Sequence, residues 1–142
     1  MALLLIDASI AAKFVLTEAE TGLALEFLHG DDRLVAPSII KHEVAGAVLR
    51  RWRQGLMEIE PARTACDDWH AILDQGRVHL MPVEAIYHQA VDLAFEIRHA
   101  LMDCFYLAAA QRLGAPLITA DRAFQERAAR VYSQVTLLAR AA

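Results

Sequence analysis

Four carboxylates recur at one kind of position in this sequence. Asp7 closes the apolar run Leu3-Leu4-Leu5-Ile6, and Asp121 follows Leu117-Ile118-Thr119. Asp103 stands before the Ala- and Leu-rich stretch Cys104–Leu113, and Glu43 lies in a helical pattern opening at Pro37-Ser38. No His or Cys pattern accompanies them, so the donor set is oxygen only, which suits Mg²⁺ or Mn²⁺ rather than zinc. Two bare carboxylates ~5 Å apart repel by roughly 3 kcal/mol at an effective dielectric of about 20. Gathered acids therefore need protons or cations to neutralise them. With a divalent ion, such a site suits phosphoryl chemistry, in which water is activated and charge on a scissile phosphate is stabilised.

A plainer reading stands beside this one. Asp is a favoured helix N-cap, and Asp7, Asp103 and Asp121 each directly precede helical sequence, so capping accounts for each taken alone. Glu43 has no such account. At about 100° per residue, Ile39, Ile40, Val44, Ala47 and Val48 form an apolar arc, and Glu43 falls inside it. A carboxylate there is costly unless something compensates it, or unless it reaches out at the stripe's edge.

The elements that must position these acids alternate between short apolar runs and helical patterns. Strands are expected at Leu3–Ile6, Arg33–Ala36, Val78–Met81, Leu117–Thr119 and near Val135–Leu138. Helices are expected after Asp7, over Ala19–His29, from Ser38 to Gln54, and over Pro61–Gln75, Val83–Arg98, Cys104–Leu113 and Arg122–Arg130. Alternation without hairpin turns predicts an α/β fold: a central parallel sheet of about five strands with helices on both faces. In such a sheet the strand ends and the following helix starts share one rim, where open α/β folds keep their sites. All four acids should meet there.

The 142 residues suit one domain, 1–142, with no linker, repeat or low-complexity segment. An apolar fraction of 56% and a mean hydropathy of +0.28 are high for so short a chain, which favours a subunit interface. A homodimer is the expected form. The net charge of −4 gives no global basic field for nucleic acid. Cys66 and Cys104 have neither metal nor disulfide spacing and read as reduced core residues of a cytoplasmic protein. The run Ala2–Ile6 is broken by Asp7 and lacks a basic segment before it, so it reads as neither signal peptide nor membrane span.

The segments IDASIAAKF (6–14), PSIIKHEVAGAVLRR (37–51), LMDCFYLAAA (101–110) and LITADRAF (117–124) closely resemble the PIN-domain ribonucleases, above all the VapC-like toxins of bacterial toxin–antitoxin pairs. The resemblance spans nearly the whole chain. It implies a PIN-like fold and a metal-dependent endoribonuclease using Mg²⁺ or Mn²⁺. It also implies an RNA substrate and a VapB-like antitoxin as partner. Asp7, Glu43, Asp103 and Asp121 would be the metal-binding acids, and Ser9 and Thr119 match the hydroxyl positions that hold metal-bound waters. Family members often carry Asn three residues after the Glu, where this chain has Gly46, and Ala after the third acid, where it has Cys104. Neither departure removes a ligand.

Other residues offer further contacts. Lys13 could reach a substrate phosphate or be an ordinary solvated lysine. Arg50, Arg51 and Arg53 flank Trp52, a pattern suited to RNA backbone and base stacking. The same arginines in a last helical turn also simply favour its negative end. His99, four residues before Asp103, reads as a surface loop residue that could approach the rim. The alternative to a nuclease is a non-catalytic PIN-like module that binds RNA or protein. An Asp7 phosphotransfer nucleophile is disfavoured because Asp7 is followed by Ala8-Ser9 and no DxDxT.

Overall fold

The apolar runs associate into one parallel sheet in a computed structural model of the chain, which describes residues 1–139. The strands are β1 (Leu3–Ile6), β2 (Arg33–Pro37), β3 (Val78–Met81), β4 (Leu117–Thr119) and β5 (Val135–Leu137), in the order β3-β2-β1-β4-β5. Every neighbouring pair is parallel. The helices are α1 (Ala8–Ala11, continued by a 3₁₀ turn Ala12–Phe14), α2 (Thr21–His29), α3 (Ile40–Arg53), α4 (Ile59–Asp74), α5 (Tyr87–Ile97, preceded by a 3₁₀ turn Val83–Ile86), α6 (Leu101–Leu113) and α7 (Arg122–Ala128). They cover both faces, as parallel crossovers require.

The strand order fixes where a site can form. From β1 the chain steps through β2 to β3, then returns across the sheet to add β4 and β5 on β1's other side. The reversal falls between β1 and β4, the switch point at which helices leave in opposite directions and open a crevice at the strands' carboxyl ends. Asp7 follows β1 directly, and Asp121 follows β4 after one intervening residue.

Helix α6 is the central support. Cys104, Phe105, Tyr106, Leu107, Ala108, Ala109 and Ala110 are all buried, so the middle of the helix is enclosed on every side and packs on β1, β2, β4 and α5. The alanines permit close approach to the sheet. Full burial of Leu107 from α6 and Leu117 from β4 contributes about 1.5–3 kcal/mol each. Gly114 ends α6 at φ +61°, a left-handed conformation that suits glycine.

Several expected boundaries move. Pro37 does not open a helix; it is the last residue of β2, opposite Met81 of β3, and α3 begins at Ile40. The segment from Val83 starts as a 3₁₀ turn before α5 forms at Tyr87. Most consequential, α6 starts at Leu101 rather than Cys104, which places Asp103 inside its first turn. The expected last strand residue, Leu138, lies just past β5 and is buried. Among the described residues no helix is long and apolar enough to cross a membrane.

Candidate active site at the carboxyl rim of the sheet

Asp7 leaves β1 in extended backbone and caps α1, its Oδ1 accepting the Ile10 N–H at 3.2 Å. It is only 4% exposed. Ser9 Oγ donates to Oδ1 at 2.5 Å, and Thr119 Oγ1 donates to Oδ2. Burial outweighs these bonds: desolvation pushes the carboxyl up from 3.8 to about 6, and the charge of Asp103 adds to the rise. The two hydroxyls also tie β4 to β1. Ser9 Oγ accepts the Ala120 N–H at 2.8 Å, and Thr119 Oγ1 accepts the Asp121 N–H at 3.1 Å. Both residues thus act on Asp7 itself.

Glu43 is half-buried on α3, beside the fully buried Ile40, Val44 and Val48. Its compensation comes from α6, where the buried Tyr106 hydroxyl donates to Oε1 at 2.5 Å. Desolvation raises the Glu43 carboxyl and Asp103 raises it further, while the Tyr106 bond opposes both. Burial and the adjacent Glu43 charge in turn keep Tyr106 far above the ordinary phenol range. Sequence reasoning missed Tyr106; its one signal was a hydroxyl in an otherwise apolar stretch, three residues past Asp103.

Asp103 is not a cap. Ala100 holds that position with no side-chain capping bond, and Asp103 instead meets His99 Nε2 at 2.6 Å through Oδ2. His99 is correspondingly no surface histidine, with a side chain 11% exposed. Asp121 is a cap: its Oδ1 accepts the Phe124 N–H at 3.1 Å at the start of α7, and the residue is exposed.

Asp7, Glu43 and Asp103 come from three different elements, and the charge of Asp103 adds to the rise of both of the others. Asp121 shares the rim through Thr119 but adds no such push. Each carboxylate is turned toward its own donor, and among the described residues no three His, Cys, Asp or Glu side chains converge as a ligand set. The donor chemistry nonetheless fits a hard divalent cation: the acids are oxygen donors only, and a cation would offset the burial penalty, and the smaller repulsion from Asp103, that raise Asp7 and Glu43.

A cleft of about 420 Å³ runs from Ser9 and Glu43 along α3 to Arg50, Arg51, Gln54 and Leu56. The expected arginines separate here. Arg51 donates to Glu18 Oε2 at 2.7 Å, Arg50 lines the cleft and is exposed, and Arg53 is exposed but does not line it. Lys13 is not a solvated lysine: it is buried, its Nζ donating to the Ala19 carbonyl at 2.7 Å and lying 3.4 Å from Glu18 Oε1. Leu49, Trp52, Ile59, Ala62 and Cys66 line a second hollow of about 330 Å³ between α3 and α4. Cys104 is buried as expected, but Cys66 is only half-buried.

No curated protein matches the sequence significantly. Among solved structures, the chain resembles PAE2754 from Pyrobaculum aerophilum, with a TM-score of 0.64 at 18% identity over 89% of this chain and 84% of that one. It resembles VapC20 of Mycobacterium tuberculosis, a Sarcin-Ricin loop cleaving toxin, with a TM-score of 0.68 at 17% identity over 87% and 93%. A toxin–antitoxin complex from Klebsiella pneumoniae matches with a TM-score of 0.55 at 17% identity over 96% of each chain. At these identities the likeness is one of fold. The PIN domain model matches residues 4–130, nearly the full length, and the chain belongs to the PIN domain family.

Proposed function

We propose that the protein is a metal-dependent endoribonuclease, the toxin of a toxin–antitoxin pair, acting in the cytoplasm. The observation that carries this reading is that Asp7, Glu43 and Asp103 come from three different elements at the switch-point rim, each carboxyl fixed by its own donors, Ser9 and Thr119, Tyr106, and His99. Asp7, Glu43, Asp103 and Asp121 would hold Mg²⁺ or Mn²⁺. When bound, the ion would supply hydroxide from water and stabilise charge on the scissile phosphodiester. The chain's own residues orient the acids: Ser9 and Thr119 fix Asp7, and Tyr106 fixes Glu43. Arg50 would take a phosphate of the RNA strand two helical turns along α3 from Glu43, about 10.5 Å at 1.5 Å per residue.

The exposed Tyr87, Phe95, Leu101 and Met102 on α5 and the start of α6 support a homodimer. Sedimentation should show it at tens of micromolar, and monomer alone would refute it. Glu43 at one end of the cleft and Leu56, 73% exposed, at the other support a VapB-like antitoxin tail that places an Arg or Lys near the acids. High Mg²⁺ should then weaken a tail peptide's binding more than NaCl of equal ionic strength does.

The main test is cleavage of single-stranded RNA with Mn²⁺ or Mg²⁺, with excess chelator, and by Asp7→Asn, Glu43→Gln and Asp103→Asn. Cleavage should require the metal and fall by at least 100-fold in each variant, following the usual loss on removing a group aimed at developing charge. Full activity in chelator would sink the reading. One observation favours a binding module instead, namely that every acid already has a donor within the chain. RNA bound but never cut, with no uptake of Mn²⁺, would establish that alternative.

A further inference from the structure

His99 stands in a setting too elaborate for a loop residue. Arg98 closes α5 in the left-handed region at φ +53°, a conformation costing a non-glycine residue roughly 1–2 kcal/mol. The strain turns the chain so that the next side chain meets α7. There the His99 ring stacks on Phe124, with centroids 5.1 Å apart and planes 27° apart. Arg127 Nη1 donates to the Arg98 carbonyl at 2.7 Å and lies 3.4 Å from His99 Nδ1. A guanidinium has only donors, so Nδ1 must present its lone pair and the ring proton sits on Nε2. That proton points at Asp103 Oδ2, 2.6 Å away.

We propose that His99 is a positioning residue for Asp103: held by Arg127 and Phe124 of α7, it donates Nε2–H to Oδ2 and presets the carboxylate for a divalent cation. Among the described residues Asp103 Oδ1 accepts no hydrogen bond, so one oxygen is committed to the imidazole and the other is available. The same helix begins at Asp121 and fixes Phe124, whose N–H Asp121 caps. His99 therefore joins the third acid to the element that carries the fourth. Hydrogen bonds behind ligating groups typically sustain 10–100-fold of metal affinity. The inference rests on the metal reading of the acids given above.

The test is Mn²⁺ binding to the full chain by calorimetry, a readout independent of any RNA, with thermal melts in chelator to verify folding. His99→Leu keeps the bulk over Phe124 and removes the donor, and should weaken Mn²⁺ binding by roughly 10–100-fold. His99→Gln places an amide N–H near the Nε2 position and should keep binding within about threefold of wild type, since the donor to the ligating carboxylate survives. His99→Asn reaches only the Nδ1 position and should behave as His99→Leu, which keeps the test intact if the leucine variant does not fold. Undiminished or tighter Mn²⁺ binding by folded His99→Leu or His99→Asn would overturn the proposal, the histidine then being a competitor for the acid or a packing residue. Equal weakening by His99→Gln would also overturn it. Absence of Mn²⁺ binding by the wild type, unchanged in Asp103→Asn, would sink the metal reading and this inference together.

Discussion

At the end of β1 and at the end of β4 the chain makes the same local move. An apolar strand stops, an aspartate follows in extended backbone, and its Oδ1 caps a helix by accepting the N–H three residues on, from Ile10 for Asp7 and Phe124 for Asp121. The surroundings then diverge. Asp7 directly follows β1, the middle strand of the sheet, and is roofed by Ser9 and Thr119. Asp121 is set one residue further from β4, next to the edge strand β5, and stands exposed. One capping rule thus produces a carboxyl raised to about 6 and a carboxylate in solvent. Capping explains where both acids sit along the chain. Only the neighbours across the sheet decide which of them carries a burial penalty.

The largest expected consequence is on stability as a function of pH. The folded protein holds Asp7's proton up to about pH 6, against 3.8 for the free group. Between those values the native state binds more protons than the unfolded chain, so stability falls as pH rises. The contribution is fully present below about pH 4 and lost through about pH 6, and amounts to about 3 kcal/mol. Urea melts in chelator should show wild type losing ground to Asp7→Asn by that order between pH 4 and pH 7.5. Parallel curves for wild type and Asp7→Asn would mean that Asp7 is solvated like Asp121, and the contrast would vanish. Saturating Mn²⁺ should stabilise wild type more at pH 7.5 than at pH 5, because an ion held by Asp7 must displace its proton.

Thr119→Val tests the residue shared by the two acids. Its hydroxyl donates to Asp7 Oδ2 and accepts the Asp121 N–H at 3.1 Å. The substitution keeps the shape but leaves a buried carboxylate oxygen and a backbone N–H short of partners, at a cost of about 1–3 kcal/mol near neutral pH. It should also push Asp7 still higher, since the Thr119 bond is one that lowers it. The loss should therefore shrink at pH 4, where Asp7 is protonated. A loss independent of pH would show that Thr119 serves only the backbone at Asp121.

How much of this could be read from sequence depended on the range of the interaction. β3 and β4 match their expected bounds because each is a short apolar run between chain-breaking residues, Gly76 and Pro82 for one, Gly114 and Asp121 for the other. The rim position of the acids followed from the parallel alternation alone. Helix starts were less legible. Ala100 caps α6 without a side-chain bond, and Asp103 offered a more persuasive cap three residues too late. The partners of the acids were beyond local reading. Tyr106 meets Glu43 across 63 residues, and Thr119 meets Asp7 across 112. Lys13 shows the converse, a charge expected either at a substrate phosphate or in solvent that the turn at Ala19 instead folds over.

The smallest expected effect isolates the cap itself. Asp121→Ala removes the oxygen that accepts the Phe124 N–H and should cost about 1 kcal/mol, the usual value of a lost N-cap. Asn caps as well as Asp, so Asp121→Asn should leave stability nearly unchanged. Metal binding separates what stability cannot. If Asp121 serves only α7, the Asn variant should bind Mn²⁺ as wild type does. If it is also a ligand, replacing a carboxylate by a neutral amide should weaken binding while the melt stays put. A stable Asp121→Asn chain with weakened Mn²⁺ binding would place Asp121 with Asp7 in function despite their opposite burial. Unchanged binding would leave Asp7, Glu43 and Asp103 as the ligand set and Asp121 as a cap that merely shares their rim.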